Sequence, residues 1–426
     1  MPGVQARMAP GGDAAGCRVN AAPAILLVVM VLIAVRRIGR WRIAIWQSMC
    51  GGAIAALATG AIAPAAALAA IDVDVIAFLV GTFVVGEALV ASGALYWVAY
   101  KGLSRLRSVD ALVAALLAGT GLASALLMND TLAIVATPLA LRLAREHRID
   151  PRLPLLAVAF GVTTGSVMSP IGNPQNLLIA LHAGYPAPFT VFAAALAIPT
   201  LASLVAAHLV LRACHRAEFH RTPLVHTGVE VTDRALAWLS AVATGVMLAG
   251  VTLKTVAAFG GELRLSWIAL AAALPVLAAS PRRFELLRRI DWPTIAFFAA
   301  MFVLMTAVWD AGLADRLQPL AASPGVATVL GAGVGISQIV SNVPAVALCL
   351  PLLAQGPHGE AAYMALAAGS TIAGNLLILG AASNVIVIQR AEREGANLSF
   401  AQFARAGVPL TAIQFGLYWA WLSLRY

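Results

Sequence analysis

The sequence has few charged residues. Asp, Glu, Lys and Arg make up 11% of its 426 residues, whereas a soluble domain carries roughly 25%. Hydrophobic residues make up 61%, and apolar runs of about 20 residues, each long enough to cross a bilayer, recur along the chain. These features exclude a sizeable soluble domain and predict an all-α membrane protein with many spanning helices.

The sequence also lacks the motifs that mark common membrane enzymes and nucleotide-driven pumps. It has no His-Glu-x-x-His pair, no Gly-x-Gly-Asp pair, no Gly-x-Ser-x-Gly nucleophile turn and no Walker motif. Its four cysteines, Cys17, Cys50, Cys214 and Cys349, show neither pairing nor metal-ligand spacing. We therefore predict that the chain is not an enzyme, hydrolyses no nucleotide and holds no resident cofactor.

Positive charge is concentrated in short segments between the apolar runs. The net charge is +9, and arginine-rich loops of this kind mark the cytoplasmic side of a membrane protein. This distribution predicts contact with the lipid bilayer and no binding of nucleic acid. The Gly/Ala/Pro-rich residues 1–20 are predicted to be a disordered tail, and 213–235 a cytoplasmic linker between two membrane-spanning halves, 21–212 and 236–426.

A polar interruption divides a long apolar stretch of the first half. Residues 152–182 are apolar except for Ser-Pro-Ile-Gly-Asn-Pro-Gln-Asn at 169–176. The prolines lack amide donors and the glycine lets the backbone turn, so the helix is predicted to be discontinuous here. Such a break marks a solute site in many transporters, although a plain proline kink is the alternative. The candidate ligands at this break are Gly172, Asn173, Gln175 and Asn176.

Three segments of the first half recur in the same order in the second. Their common order and approximate spacing are more specific than any single match, and they align Asn129 with Asn342 and Pro138 with Pro351. Internal duplication of this kind is common in secondary transporters. The matched segments are 71–78 with 290–297, 127–138 with 340–351, and 172–176 with 380–384.

The loop charges predict that the two halves have opposite orientations in the membrane. Every basic loop can be cytoplasmic only if 108–143 and 324–354 are re-entrant hairpins, each entering and leaving on one side. The helix predicted over 75–99 then runs inward, and its counterpart over 291–310 runs outward. The predicted fold is an all-α inverted five-plus-five repeat with two re-entrant hairpins, two discontinuous helices and both termini outside.

Polar side chains gather at the hairpin tips and helix breaks, which this topology brings to the middle of the membrane. Helix N-termini there favour anions, and helix carbonyl ends favour cations. A lone amide in a membrane helix usually joins two helices, but symmetry-related positions favour one shared site. In addition to the first break, the candidates are Asn129, Asp130, Thr131, Ser341, Asn342, Gly380, Ser383 and Asn384.

Two carboxylates lie deep in the predicted hydrocarbon, Asp130 on the first tip and Glu87 in the helix over 75–99. A charge at such depth is costly and is a functional candidate by default. We expect Asp130 to handle a cation or a proton, with sodium held near Asn129, Asp130 and Gly172. Glu87 is open to three interpretations: a proton or cation relay, a counter-ion, or a protonated structural donor.

Four of these segments resemble the ion transporter superfamily. The resemblance covers roughly 43–424 and is closest to citrate-transporter-like permeases of bacterial inner membranes. Related groups are the divalent-anion:sodium symporters, the arsenite efflux permeases and the NhaD-type sodium/proton antiporters. The segments are Met-Asn-Asp-Thr at 128–131, Ser-Pro-Ile-Gly-Asn-Pro-Gln-Asn at 169–176, Ser-Gln-Ile-Val-Ser-Asn-Val-Pro at 337–344 and Ala-Gly-Asn-Leu-Leu-Ile-Leu-Gly-Ala-Ala-Ser-Asn at 373–384.

The resemblance implies a homodimer in which a transport part of each protomer moves against a scaffold part like an elevator. In the carboxylate symporters each tip carries Ser-Asn-Thr, which helps to bind sodium and the substrate carboxylate. The matching triplets here are Met-Asn-Asp at 128–130 and Ser-Asn-Val at 341–343. We therefore predict a secondary transporter that moves a small organic or inorganic anion, driven by a sodium or proton gradient. The alternatives are a sodium/proton antiporter, an arsenite-type efflux permease and a channel.

Overall fold

The computed structural model describes eight stretches of the chain, and regular structure within them is almost entirely helical. The tail predicted over 1–20 and residues 221–232 of the predicted linker lie outside the described residues. The described residues are 21–35, 37–38, 41–103, 106–220, 233–256, 263–312, 325–354 and 359–426.

The described residues of the first half form ten α-helices and one pair of two-residue strands. The strands are antiparallel and pair Arg37 with Arg42. Two short 3₁₀ helices, Ser166–Met168 and Arg216–His220, follow α8 and α10. The elements are α1 Ala22–Val35, β1 Arg37–Ile38, β2 Trp41–Arg42, α2 Ile45–Ala58, α3 Pro64–Ala70, α4 Val73–Ala91, α5 Ala94–Leu103, α6 Val109–Leu126, α7 Asn129–His147, α8 Arg152–Gly165, α9 Pro174–Ala183 and α10 Pro188–Cys214.

The described part of the second half is helical throughout. A 3₁₀ helix, Ile378–Gly380, separates two of its helices, as Ser166–Met168 does in the first half. The elements are α11 Arg234–Val256, α12 Leu265–Ala279, α13 Arg283–Arg289, α14 Trp292–Asp310, α15 Val326–Val340, α16 Asn342–Ala354, α17 Glu360–Leu376, α18 Ala382–Arg393 and α19 Phe400–Arg425.

Five of the described helices are long and apolar enough to cross a bilayer: α4, α6, α10, α11 and α14. Large hydrophobic side chains such as Leu122, Val205 and Trp238 are exposed on three of them, as lipid-facing surfaces require. Shorter apolar helices include α8, α15 and α16, each of which ends or begins at a break. The chain is therefore a polytopic helical membrane protein.

The helix predicted over 75–99 is divided in two, so that prediction was wrong, and the apolar run over 43–70 is divided as well. The run over 43–70 becomes α2 and α3, because Gly60 has a φ of 70° and Pro64 begins a new helix. The run over 75–99 becomes α4 and α5, which a turn at Gly93, with a φ of 75°, separates. Both glycines adopt a left-handed conformation that other residues rarely accept.

Equivalent local structures occur at equivalent places in the two halves. The side chain of Asp72 accepts the backbone N–H of Val75 at 3.1 Å and begins α4. Asp291 accepts the N–H of Thr294 at 3.1 Å and begins α14. Both helices have 19 residues, and a seven-residue helix, α3 or α13, precedes each of them. The sequence match between 71–78 and 290–297 thus corresponds to one local structure used twice.

The halves are also interleaved by packing. Helix α4 packs on α12 and α14 packs on α2, while α7 packs on α18 and α9 on α16. Within each half α6 packs on α8, and α15 packs on α17. Each half therefore completes the other's core, and both breaks lie inside it. One buried contact of that core is the edge-to-face pair of Phe160 and Phe403, with ring centroids 5.2 Å apart.

Candidate functional site

Four helices begin at the breaks and tips that the sequence singled out. Helices α7, α9, α16 and α18 start at Asn129, Pro174, Asn342 and Ala382. Each start follows closely on the end of another helix, so backbone N–H groups and carbonyl groups are left without intrahelical partners side by side. The tips are therefore the first turns of helices.

Asparagine side chains satisfy the backbone at the first break. The Oδ1 atom of Asn173 accepts the N–H of Asn176 at 2.9 Å and caps α9. The Nδ2 atom of Asn176 donates to the carbonyls of Ser166, Val167 and Ser169 at 3.1, 3.1 and 3.0 Å. Asn173 and Asn176 are fully buried. The break is thus held open by side-chain amides that replace the missing helical hydrogen bonds.

Thr371 of α17 connects the first break to the second half. Its Oγ1 atom accepts from Nδ2 of Asn173 and from Nε2 of Gln175, both at 3.3 Å. The same hydroxyl donates to Oδ1 of Asn176 at 3.4 Å. Thr371 is fully buried, so one hydroxyl group serves three amides. The sequence analysis did not identify Thr371, although a small polar residue inside an apolar helix was a visible signal.

The second break repeats one of these contacts and leaves others unfilled. The Nδ2 atom of Asn384 donates to the carbonyl of Gly374 at 2.5 Å, which corresponds to the bond from Asn176 to Ser166. However, the Oδ1 atom of Asn384 and the Oγ atom of Ser383 are buried without a partner in the described part of the chain. Buried polar atoms are almost always satisfied, so these oxygens are available to a ligand.

If residues 172–176 are aligned with 380–384, Thr163 of α8 is the counterpart of Thr371 of α17. A Cβ atom added to Gly374 would lie 3.0 Å from Cγ2 of Thr163, so Thr163 borders the second break. Its Oγ1 atom is buried and has no partner among the described residues. The two threonines therefore occupy equivalent positions. The Thr371 hydroxyl is fully hydrogen-bonded, whereas the Thr163 hydroxyl has no partner among the described residues.

The first tip touches the first break directly. The backbone N–H of Asn129 donates to the carbonyl of Gly172 at 2.9 Å. The Oδ1 atom of Asn129 is buried and lacks a partner among the described residues. The start of α7 and the turn before α9 are therefore fixed together, with a free acceptor oxygen beside them.

The second tip touches both breaks. In the amide orientation that satisfies both of its polar atoms, Asn342 donates to the carbonyls of Ser370, at 3.0 Å, and Gly380. Its Oδ1 atom accepts from Nε2 of Gln175 at 3.2 Å. Ser341, just before it, has a φ of 75°, a left-handed conformation that is unusual for serine. A single asparagine thus links the starts of α9, α16 and α18.

Thr131 faces α4, and Asp130 precedes it at the start of α7. Asp130 is 9% exposed, and the charge of Asp291 at the start of α14 acts on it. Thr131 packs against Gly86, where an added Cβ atom would lie 3.0 Å from Cγ2 of Thr131. A cleft of about 10 Å³, the room of about one water molecule, lies between Gly86, Thr131, Ile171 and neighbouring residues. The start of α7 therefore combines a buried acidic residue, Asp130, with a threonine that packs against α4.

Glu87 directly follows Gly86, which borders this cleft. It also lies near the charged helix α13. It is partly buried, and the charges of Arg289, Glu285 and Arg282 act on its carboxylate. On the surface segment itself, Arg282 hydrogen-bonds to Glu285 and lowers the pKa of that carboxyl group. The helix that carries Glu87, α4, also packs against the charged helix α13.

A second buried polar network links the breaks to α19. The Nδ2 atom of Asn375 donates to Oγ1 of Thr164 at 2.9 Å and to Oε1 of Gln414 at 3.0 Å. The Nε2 atom of Gln414 donates to the same threonine oxygen at 2.9 Å. None of the three was predicted as a site residue, because their contacts join three helices that are far apart in the sequence.

Replacing Gly172 by alanine should separate the first tip from the first break. An added Cβ atom would lie 2.7 Å from the carbonyl oxygens of Ser124 and Ser166, and backbone atoms cannot move aside cheaply. We expect the variant to lose about 2 kcal/mol of stability, measured as a lower midpoint of thermal unfolding. Gly119→Ala is the control, because nothing lies within 4 Å of its Cβ position. Equal stability of both variants would show that the contact is loose.

Comparison with known proteins gives the family. A family model described as Citrate transporter matches residues 25–369. The chain belongs to this family. An uncharacterised transporter of Mycobacterium bovis is 30% identical over 422 residues, which cover 94% of this chain and 97% of the relative. The human P protein is 26% identical over 497 residues, which cover 93% of this chain and 58% of that protein.

A solved structure shares the fold of this citrate transporter family member. The crystal structure of the YdaH transporter from Alcanivorax borkumensis aligns with a TM-score of 0.56 and 16% sequence identity, covering 95% of this chain and 97% of that one. The resemblance to the ion transporter superfamily seen in the sequence is thereby confirmed. The chain is a membrane transporter of this family, and the names of its relatives indicate transport rather than enzymatic activity.

Proposed function

We propose that this chain is a secondary active transporter that moves a small organic or inorganic anion, coupled to a sodium or proton gradient. The observation that carries the proposal is the link made by Asn342, whose side chain bonds to Gly380 and Gln175. This link gathers the starts of α9, α16 and α18, and the contact of Asn129 with Gly172 adds the start of α7. Four positive helix ends beside buried amides favour an anionic solute.

The same region offers oxygen atoms to a coupling cation. The carbonyl of Gly172 and the Oδ1 atom of Asn129 lie at the first tip, and a carbonyl oxygen keeps a second lone pair when it accepts one hydrogen bond. Asp130 adds a carboxylate in the same helical turn. We assign the coupling ion, sodium or a proton, to these three residues.

Sodium/proton exchange, or arsenite-type efflux, is the alternative function. The observation that favours it is Asp130, which is largely buried and begins α7 next to Asn129. Its counterpart in the second half is Val343, so the repeat itself does not require a charge here. An exchanger that carries only cations would use this carboxylate and would bind no anion.

A ligand screen separates the two functions. Because a ligand that binds only the folded state raises stability by about 2.7 kcal/mol at one hundred times its dissociation constant, detergent-purified protein can be tested by thermal unfolding. Organic and inorganic anions are added singly, with and without sodium. An anion that raises the midpoint, more strongly with sodium or at one pH, supports the proposal. A response to sodium or pH alone supports the exchanger.

We further propose the inverted topology, a homodimer, elevator-like motion and a bacterial inner membrane location. The equivalent caps at Asp72 and Asp291 and the interleaved packing of the halves support the repeat. The mycobacterial relatives support the bacterial location. In this arrangement the α13 segment is cytoplasmic and the turn after α9 is outside.

Labelling of single cysteines should reveal this inversion. In a background free of native cysteines, Pro186→Cys in the exposed turn after α9 should react with an impermeant thiol reagent in intact cells. Arg288→Cys, in exposed α13, should react only after permeabilisation. Leu286 is unsuitable for this test because it is fully buried. Labelling of both cysteines in intact cells would contradict the inverted arrangement.

A further inference from the structure

One face of α10 continues from lipid-exposed apolar residues into two arginines. The first five of these residues follow one another at steps of three or four and lie on one side of α10. Arg216, just after the non-helical His215, joins Leu209 and Arg212 in the wall of one cavity. The four apolar side chains are 49–59% exposed, and both arginines are exposed. The stripe consists of Ile198, Leu201, Val205, Leu209, Arg212 and Arg216.

A cavity lies where the apolar part of this stripe meets the arginines. Its volume is about 290 Å³, and its walls are Leu209, Arg212, Ala213, Arg216 and Phe219. This volume is near the lower end of the range of small-molecule sites, roughly 300 Å³. The cavity is open to the surface and joins an apolar wall to two guanidinium groups.

The charges around the cavity favour an anion. On the neighbouring helix α6, Asp110 accepts from Arg212 at 3.4 Å and contacts His208 at 3.2 Å. Arg212 keeps further donors, since a guanidinium carries five N–H groups. Arg216 forms no ion pair with any residue that the structure describes. Glu218, in the same 3₁₀ helix as Arg216, accepts the N–H of Asp150 at 3.1 Å. The wall of the cavity itself contains two arginines and no carboxylate, which makes it positively charged.

We propose that this cavity binds the headgroup of an anionic phospholipid, with an acyl chain along the apolar stripe of α10. Guanidinium groups match phosphate oxygens in geometry and charge. Basic pockets at the cytoplasmic ends of membrane helices select acidic lipids, and the basic loop after α10 is assigned to the cytoplasm. A second copy of the chain fits less well, because a two-fold contact through this face would set like-charged arginines at the same depth.

We expect the protein to bind anionic headgroups selectively, because Arg212 and Arg216 line the cavity. Detergent-purified full-length protein is titrated with dioctanoyl phosphatidylglycerol or dioctanoyl phosphatidylcholine, and the midpoint of thermal unfolding is followed. Only the phosphatidylglycerol should raise the midpoint. The double variant Arg212→Gln/Arg216→Gln should bind it about thirtyfold more weakly, since each basic group near an acidic membrane surface contributes about 1 kcal/mol. These surface substitutions leave the helix intact.

Matched controls decide between the lipid and other occupants. Arg283→Gln/Arg288→Gln removes the same charge from two exposed positions of α13, which packs on α4 and α12 and is assigned to the same side of the membrane, and should bind like the wild type. An equal response to phosphatidylcholine, to glycerol phosphate alone, or in the Arg212/Arg216 double variant would overturn the proposal. So would a disulfide between two copies of Val205→Cys formed in the membrane, because it would place a second protomer on the stripe.

Discussion

Thr371→Val should reduce solute flux by about tenfold or more and destabilise the protein. Valine has nearly the shape of threonine but lacks the hydroxyl that accepts from Asn173 and Gln175 and donates to Asn176. Asn173 keeps its bond to Oγ of Ser166 at 2.9 Å and Gln175 its bond to Asn342, but Oδ1 of Asn176 loses its partner. A buried polar atom left without a partner costs about 1–3 kcal/mol. The first break would then rearrange, and its helix starts would no longer point at one solute. Flux is measured in proteoliposomes, and stability by thermal unfolding in detergent.

The repeat supplies the control for this variant. Thr163→Val removes the equivalent hydroxyl at the second break, where Oγ1 has no partner among the described residues. Its stability should stay within about 0.5 kcal/mol of the wild type, because no hydrogen bond is lost. If the two variants are equally stable, the hydrogen bonds of the Thr371 hydroxyl contribute nothing measurable to the stability of the fold. If Thr371→Val transports normally, the amide cluster is structural alone.

Asp130→Asn should abolish the dependence of transport on its driving ion. The side chain is 9% exposed at the start of α7, and a charge at this depth requires a compensating cation or proton. If sodium compensates it, the variant loses sodium-dependent uptake. If a proton does, asparagine mimics the protonated state and flux no longer varies with pH. Asp130→Glu should be partly active in both cases, because it keeps the charge.

Asp291→Asn is the matched control for Asp130→Asn. Asp291 is the carboxylate whose charge acts on Asp130, and asparagine can still cap α14 as aspartate does. We expect the control to retain coupling to its ion, measured with a sodium gradient and separately with a pH gradient. Normal coupling in Asp130→Asn would remove Asp130 from the mechanism and leave Glu87 as the next carboxylate to test.

Local chemistry made the breaks predictable. Pro170, Pro174 and Gly172 interrupt an apolar run, and asparagines beside them can replace helical hydrogen bonds, so sequence alone located the first break. The repeat then located the second break near Gly380. The same comparison predicted equivalent structures at Asp72 and Asp291, where short acidic side chains cap helices.

The tertiary contacts could not be predicted from the sequence. Thr371 contacts Asn173 across 198 positions of the chain, and only the packing of the two halves brings them together. The division of 75–99 at Gly93 was also missed, because one glycine in an apolar run costs a helix only about 1 kcal/mol, although Ser92 beside it was a turn signal. The unfilled oxygens at the second break depend on atomic positions that no motif encodes.

The most direct test of the proposed anion transport is solute uptake by the purified wild-type chain in proteoliposomes. The anion selected by the thermal screen is supplied outside at a fixed concentration, with a sodium gradient, a pH gradient or neither imposed. We predict that the anion accumulates inside the liposomes above its outside concentration, that its uptake saturates, and that accumulation requires one of the two gradients. Flux that never saturates and only equilibrates the anion would identify a channel, and cation exchange without any anion flux would contradict the proposed substrate.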